Sequence, residues 1–193
     1  MQFKKAKATP NSNDINDFIN QATGEVKTQK KEINKIQIKI SKEMFAYFNK
    51  RTKNSILNKS QFLEFLYFQK NDYFTDAQMI KIFDKAIILN MGIRDYIRYK
   101  LNLTNKEDIK SKAHKTEHKH LVGAYISREK REEANLIAAN ANLSVQNYGY
   151  LKIIFAIETE NLFSFDEIVA IKKEAEDKKL EVGEYITLKI QYE

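Results

Sequence analysis

The sequence predicts a mainly α-helical chain with short β-ribbons, built from four repeated helical-hairpin units. Three observations predict it. First, Lys35-Ile36-Gln37-Ile38-Lys39-Ile40 alternates polar and β-branched residues, the pattern of a strand buried on one face. Second, four seven-residue segments superpose without gaps: Ile56 to Phe62, Asn90 to Tyr96, Asn142 to Tyr148 and Lys179 to Tyr185. Each has Leu or Met second and an aromatic residue seventh. Third, helix-start signals recur at matching places. Thr75-Asp76-Ala77-Gln78 and Ser164-Phe165-Asp166-Glu167 both read as capping boxes, with Ile80 and Ile82 in one matching Val169 and Ile171 in the other.

Taken in order, residues 1–34 are polar, hold the single proline (Pro10), and show little periodicity, so a flexible N-terminal arm is expected. Within it, Ile15, Phe18 and Ile19 fall on one helical face and form a candidate docking segment. After the strand, Ser41 is a natural N-cap, and residues 42–54 read as a helix burying Met44, Phe45 and Phe48. Asn58 caps a second helix, expected to bury Phe62, Phe65 and Leu66. Asn90 and Asn142 stand where a left-handed turn would join two helices. The aromatic markers Phe62 and Tyr96 are 34 residues apart, Tyr148 and Tyr185 are 37 apart, and the two pairs are offset by 86 and 89. The units therefore group as a first pair over 35–103 and a second, degenerate pair over 121–193, joined by a charged linker over 104–120. Each pair is expected to close its own ribbon. The strand at 35–40 would pair with Asn71-Asp72-Tyr73-Phe74, and the strand Leu121 to Ile126 with the stretch around Glu160 and Leu162. On that plan, residues 35–103 alone should fold as a monomer.

Net charge is +7, with +7 on residues 35–100 and −4 on residues 121–193, which suggests different partners for the two halves. The chain has no cysteine, so disulfides and thiolate metal sites are excluded. No apolar run approaches the ~20 residues of a membrane span. Met1-Gln2-Phe3-Lys4-Lys5 opens no apolar leader, and a cytoplasmic protein without membrane contact is expected.

A strand followed by two helices resembles the ribbon-helix-helix family, the superfamily of the Arc and MetJ repressors. Asn90-Met91-Gly92-Ile93-Arg94-Asp95-Tyr96-Ile97-Arg98 is similar to that family's second-helix start, and Ile36 to Ile40 to its DNA-reading strand. The resemblance implies that two units pair their strands into an antiparallel ribbon that enters the DNA major groove. Four units would then form two intrachain pseudo-dimers. Tandem copies resemble accessory DNA-binding proteins of conjugative plasmid transfer; plasmid partition regulators and antitoxins share the fold.

If Ile36, Ile38 and Ile40 face the helices, Lys35, Gln37 and Lys39 face outward. Lysine donates to guanine O6 and N7 or to phosphate, and glutamine makes two hydrogen bonds to adenine. The expected partner strand adds Asn71 and Tyr73. Helix N-termini attract phosphate, which nominates Asn58, Lys59 and Ser60 at one and Gly92 and Arg94 at another, with Lys50, Arg51 and Lys53 nearby. In the second pair, Val122, Ala124 and Ile126 would be buried, leaving Leu121, Gly123 and Tyr125 exposed with Leu162 and Glu160 opposite. That apolar face points to self-association or a protein partner through Leu121, Tyr125 and Leu162.

His114, His118 and His120 cluster with Glu117, and the first two would share a helical face, as metal ligands do. The surrounding stretch is a polar, Lys-rich connector with no apolar support for a metal's outer shell, so no metal is expected. No nucleophile–base set or nucleotide loop is present, so neither catalysis nor a cofactor is expected. The expected function is sequence-specific binding of double-stranded DNA, as an accessory or regulatory protein of a mobile element. The alternative is a protein–protein adaptor with the same fold.

Overall fold

Two strands carry an apolar alternation, and they pair with each other. In the computed structural model, which describes residues 34–53, 55–71, 73–111 and 119–192, β1 (Asn34–Ile40) and β2 (His120–Ile126) form a two-stranded antiparallel sheet. Lys35 lies opposite Tyr125, Gln37 opposite Gly123, and Lys39 opposite Leu121. Ile36, Ile38 and Ile40 are fully buried, as are Val122, Ala124 and Ile126 nearly so. Burying each isoleucine contributes roughly 1.5–3 kcal/mol. An isolated two-stranded ribbon is marginal in water, so this buried face is what holds the strands in place.

Each strand leads into a helical hairpin. β1 is followed by α1 (Lys42–Lys53) and α2 (Lys59–Phe68), then by the strandless hairpin α3 (Asp76–Ile88) and α4 (Ile93–Lys100). β2 is followed by α5 (Arg128–Asn140) and α6 (Val145–Glu158), then by α7 (Phe165–Asp177) and α8 (Val182–Tyr192). Helices α2 and α6 cross beneath the ribbon. Each lies under the strand of the other unit, α2 against β2 and α6 against β1, and they pack on each other. The described residues belong to one compact unit with one continuous core. The architecture is mainly helical, as expected, and among the described residues it holds one short antiparallel ribbon where two were expected.

The strand pairing differs from the expected plan. β1 takes its partner from the third unit, so the halves 35–103 and 121–193 share a ribbon instead of closing one each. The physical reason lies in Asn71. Its side-chain oxygen accepts from the backbone N–H groups of both Tyr73 and Phe74, each at 3.0 Å, which bends the chain and uses the donors a ladder would need. Residues 159–163 likewise form a turn, with Asn161 left-handed at φ 51.

The helix ends follow the repeat closely. Asn58, Thr75 and Ser164 form complete capping boxes, and Ser144 caps α6. Asn90, Asn142 and Lys179, first in three of the superposed segments, are all left-handed, with φ of 52, 54 and 57. In each case the next residue's N–H reaches back to a buried alanine carbonyl: Met91 to Ala86, Leu143 to Ala138, Leu180 to Ala175, all at 2.9 Å. This is the six-to-one bond of a Schellman turn. An apolar side chain commonly accompanies this turn, which suits Met or Leu second in these three segments. In α2 the buried face is rotated from the expected one. Leu63, Leu66 and Tyr67 are buried, while Phe65 is 50% exposed.

Lys152 of α6 occupies the place that Leu66 holds in α2, yet it is buried. It donates to the Gln69 carbonyl and lies 3.9 Å from Asp76. Asp76 in turn accepts from Tyr148 at 2.9 Å. Burial pushes the Lys152 ammonium down and the Tyr148 and Tyr67 phenols up from their ordinary values. The cluster ties α6 to the end of α2 and the start of α3.

The expected arm over 1–34, with Ile15, Phe18 and Ile19, lies outside the described residues apart from Asn34, as do His114, Glu117 and His118. Among the described residues, no helix is long and apolar enough to cross a membrane.

Candidate nucleic-acid interface

The register places six side-chain positions on the outer face of the ribbon: Lys35, Gln37 and Lys39 from β1, and Leu121, Gly123 and Tyr125 from β2. The three β1 residues are exposed; Leu121 is 52% and Tyr125 62% exposed. The residues expected on two separate ribbons therefore share one surface. The Lys35 ammonium lies 5.3 Å from the centre of the Tyr125 ring. Its stem crosses bare Gly123, where a Cβ would come within 2.9 Å of Lys35 Cε.

Both edges of the ribbon are held by helix residues. On the β2 side, Ser60 Oγ accepts from the Tyr125 backbone N–H at 3.1 Å. The start of α2, with Asn58, Lys59 and Ser60, is thereby fixed beside the ribbon. Asn58 spends its side chain on the Gln61 N–H, and the remaining first-turn N–H groups face outward from a helix end with partial positive charge. The Lys59 ammonium lies 5.0 Å from the Phe45 ring, which stacks on His120 at 4.8 Å. On the β1 side, Arg131 of α5 donates to the Lys35 carbonyl at 3.2 Å. Arg131 was not singled out from sequence. Pairing the first unit with the third places it beside β1.

Other expected contacts sit elsewhere. Asn71 and Tyr73 lie beyond the end of α2 and not opposite β1; Tyr73 is half-buried against Phe163, with ring centres 6.0 Å apart. Leu162 is 2% exposed, so its side chain belongs to the core and not to a surface. Gly92 is buried at the start of α4, which packs on α3, α6 and α8. Arg94 donates to the carbonyls of Glu160 and Asn161, the latter at 2.7 Å. Arg51 pairs with Glu160, and Arg98 makes a two-pronged bond to Glu167 at 2.6 and 2.9 Å while also donating to the Leu162 carbonyl at 3.1 Å. Arg98 holds the Glu167 carboxyl at about 2, well below its ordinary value. These three arginines of the first half clamp the α6–α7 turn of the second. Lys50, Arg51 and Asn71 line a cleft of about 720 Å³ between α1, α2 and α6, with Lys70 and Glu160 and no residue of either strand. Lys53 is exposed at the end of α1.

Among the described residues, no group of three or more histidines and carboxylates is placed to hold a metal. Comparisons with protein families, curated proteins and solved structures find no significant match.

Proposed function

We propose that this chain binds double-stranded DNA through the β1–β2 ribbon, as an accessory or regulatory protein and not as an enzyme. The supporting observation is the row Lys35, Gln37, Lys39. These three hydrogen-bond donors stand in the open on a two-stranded ribbon whose other face is sealed by α2 and α6. A ribbon of this width fits the major groove, and donors of these types match guanine and adenine edges there. The α2 start beside the ribbon edge, with Lys59, suits a phosphate, and such contacts set register without reading sequence. We read the fold as a ribbon-helix-helix pseudo-dimer made from the first and third units, with α3–α4 and α7–α8 as strandless appendages.

A second reading rests on Leu121 and Tyr125. Two large apolar residues exposed on one ribbon suit a protein surface, either a second copy or an adaptor partner. Replacing Lys35, Gln37 and Lys39 together by Ala separates the readings. Isoleucines 36, 38 and 40 remain, so circular dichroism should be unchanged. Duplex affinity should fall, with about 1–3 kcal/mol of discrimination lost for each good base contact. Undiminished duplex binding by the folded variant overturns the DNA reading.

A further inference from the structure

The ribbon is pseudo-symmetric in backbone and asymmetric in chemistry. Its register is centred on the Gln37–Gly123 pair. A two-fold through that pair exchanges Lys35 with Leu121, Gln37 with Gly123, and Lys39 with Tyr125. One strand presents Lys, Gln, Lys; the other presents Leu, Gly, Tyr at the same three stations. A ribbon made by two identical chains cannot do this, because whatever one strand shows the other repeats. The covalent link between the first and third units allows the strands to differ.

We infer that the chain, acting one copy per site, reads an asymmetric duplex sequence with purines concentrated on the strand facing β1. This rests on the DNA-binding reading above and adds to it the kind of site. A ribbon lying along the major groove sets each strand nearer one DNA strand. Lysines seek guanine O6 and N7, and glutamine seeks adenine N6 and N7, so the β1 row selects purines on its side. Their complements on the β2 side are pyrimidines: the thymine paired to the adenine of Gln37 falls opposite Gly123, and the cytosines paired to the guanines of Lys35 and Lys39 fall opposite Tyr125 and Leu121. Leu121, Gly123 and Tyr125 present no second Lys-Gln-Lys row, so nothing on the β2 side asks for purines again. Stations 35 to 39 span about 13 Å along the strand, matching roughly four base-pair steps.

The test is selection of the full chain on duplexes with a randomised core, followed by sequencing. The expected consensus is not palindromic and has its purines on one strand. An enriched inverted repeat overturns this inference and leaves DNA binding standing. No enrichment over the starting pool overturns the DNA-reading proposal, and this inference with it. Making β2 chemically equal to β1, with Leu121→Lys, Gly123→Gln and Tyr125→Lys, should convert the selected consensus into an inverted repeat. A folded variant that keeps the original asymmetric consensus contradicts the assignment, and selection with the unaltered chain decides the matter should that variant not fold. Sedimentation of the free protein supplies the remaining outcome: a dimer dispersed by Leu121→Ser and Tyr125→Ser means that the β2 row binds a second copy instead.

Discussion

Beneath Ile38 of β1 lies Gly149 of α6, so close that a Cβ there would meet Ile38 Cδ1 at 2.1 Å. At the corresponding places of the other half stand Ala124 of β2 and Leu63 of α2, both buried. The exchange continues in the first helix of each unit, where Phe48 of α1 answers to Ala134 of α5, and the Tyr67 hydroxyl donates to the Ala134 carbonyl at 3.3 Å. The two strand–helix–helix units follow one backbone plan and divide its volume oppositely. This difference selects the pairing. Two copies of the first unit would set Ile38 against a leucine and overfill the interface. Two copies of the third would set Ala124 over a glycine and leave a void. Only the mixed pair fills the space at the density proteins require.

The strongest way to break this comparison is to remove one side of it. A chain ended after residue 111 keeps β1, α1 and α2 but loses β2 and α6. It should fail to form a folded monomer, because Ile36, Ile38 and Ile40 would lose the strand and helix that cover them. Circular dichroism and sedimentation check this; a cooperative, monomeric fragment would mean that the first two units do complete a core of their own.

A finer test exchanges the volumes. Ile38→Ala alone should cost about 2–5 kcal/mol by leaving a cavity. Gly149→Leu alone should cost about 1–3 kcal/mol or more by overpacking. Together they recreate the Ala124–Leu63 arrangement on this side, and urea denaturation should show the pair recovering at least about 1 kcal/mol relative to the sum of the two. Simple additivity would show that the two positions are not complementary.

The smallest effect concerns the strandless hairpins, which meet through Arg98 and Glu167. The Glu167 carboxyl is held at about 2, chiefly by its hydrogen bonds from Arg98. Its folded-state value lies below the unfolded one, so its contribution is present above the ordinary carboxylate range, near 4.5, and is lost as pH falls from there toward 2. Glu167→Gln should cost about 1 kcal/mol near neutrality, since the pair is partly exposed, and nothing near pH 2. A cost that stays constant with pH would show that the charge of the carboxylate is not what stabilises this contact, since Gln completes the capping box as Glu does.

How far the sequence could be read depends on the range of the interactions. Capping boxes, left-handed asparagines and the strand at 35–40 are local, and Thr75, Ser164, Asn90 and Asn142 do what their neighbours in sequence require. The outward face of each strand was legible for the same reason: alternation fixes which residues share a side. The pairing was not, because adjacency in sequence favoured Asn71 to Phe74 as the partner. A usable signal existed. Only residues 35–40 and 121–126 carry three alternating apolar stations followed by a serine N-cap, Ser41 and Ser127, whereas Asn71 to Phe74 is short and does not alternate. The same preference for a neighbouring partner puts Leu162, Asn71 and Tyr73 on ribbon surfaces, whereas β1 and β2 form the ribbon and Leu162 lies in the core. Arg51 and Arg94 read as DNA contacts from sequence because charge shows there while its partner, here the turn around Glu160 and Asn161, does not.

The central claim is that the shared ribbon binds duplex DNA, and titrating a labelled duplex with the full chain at several salt concentrations tests it most directly. The account predicts binding at low salt and a straight decline of log affinity with log salt, about 0.9 in slope for each phosphate neutralised. No binding at low salt, or an affinity indifferent to salt, would contradict it.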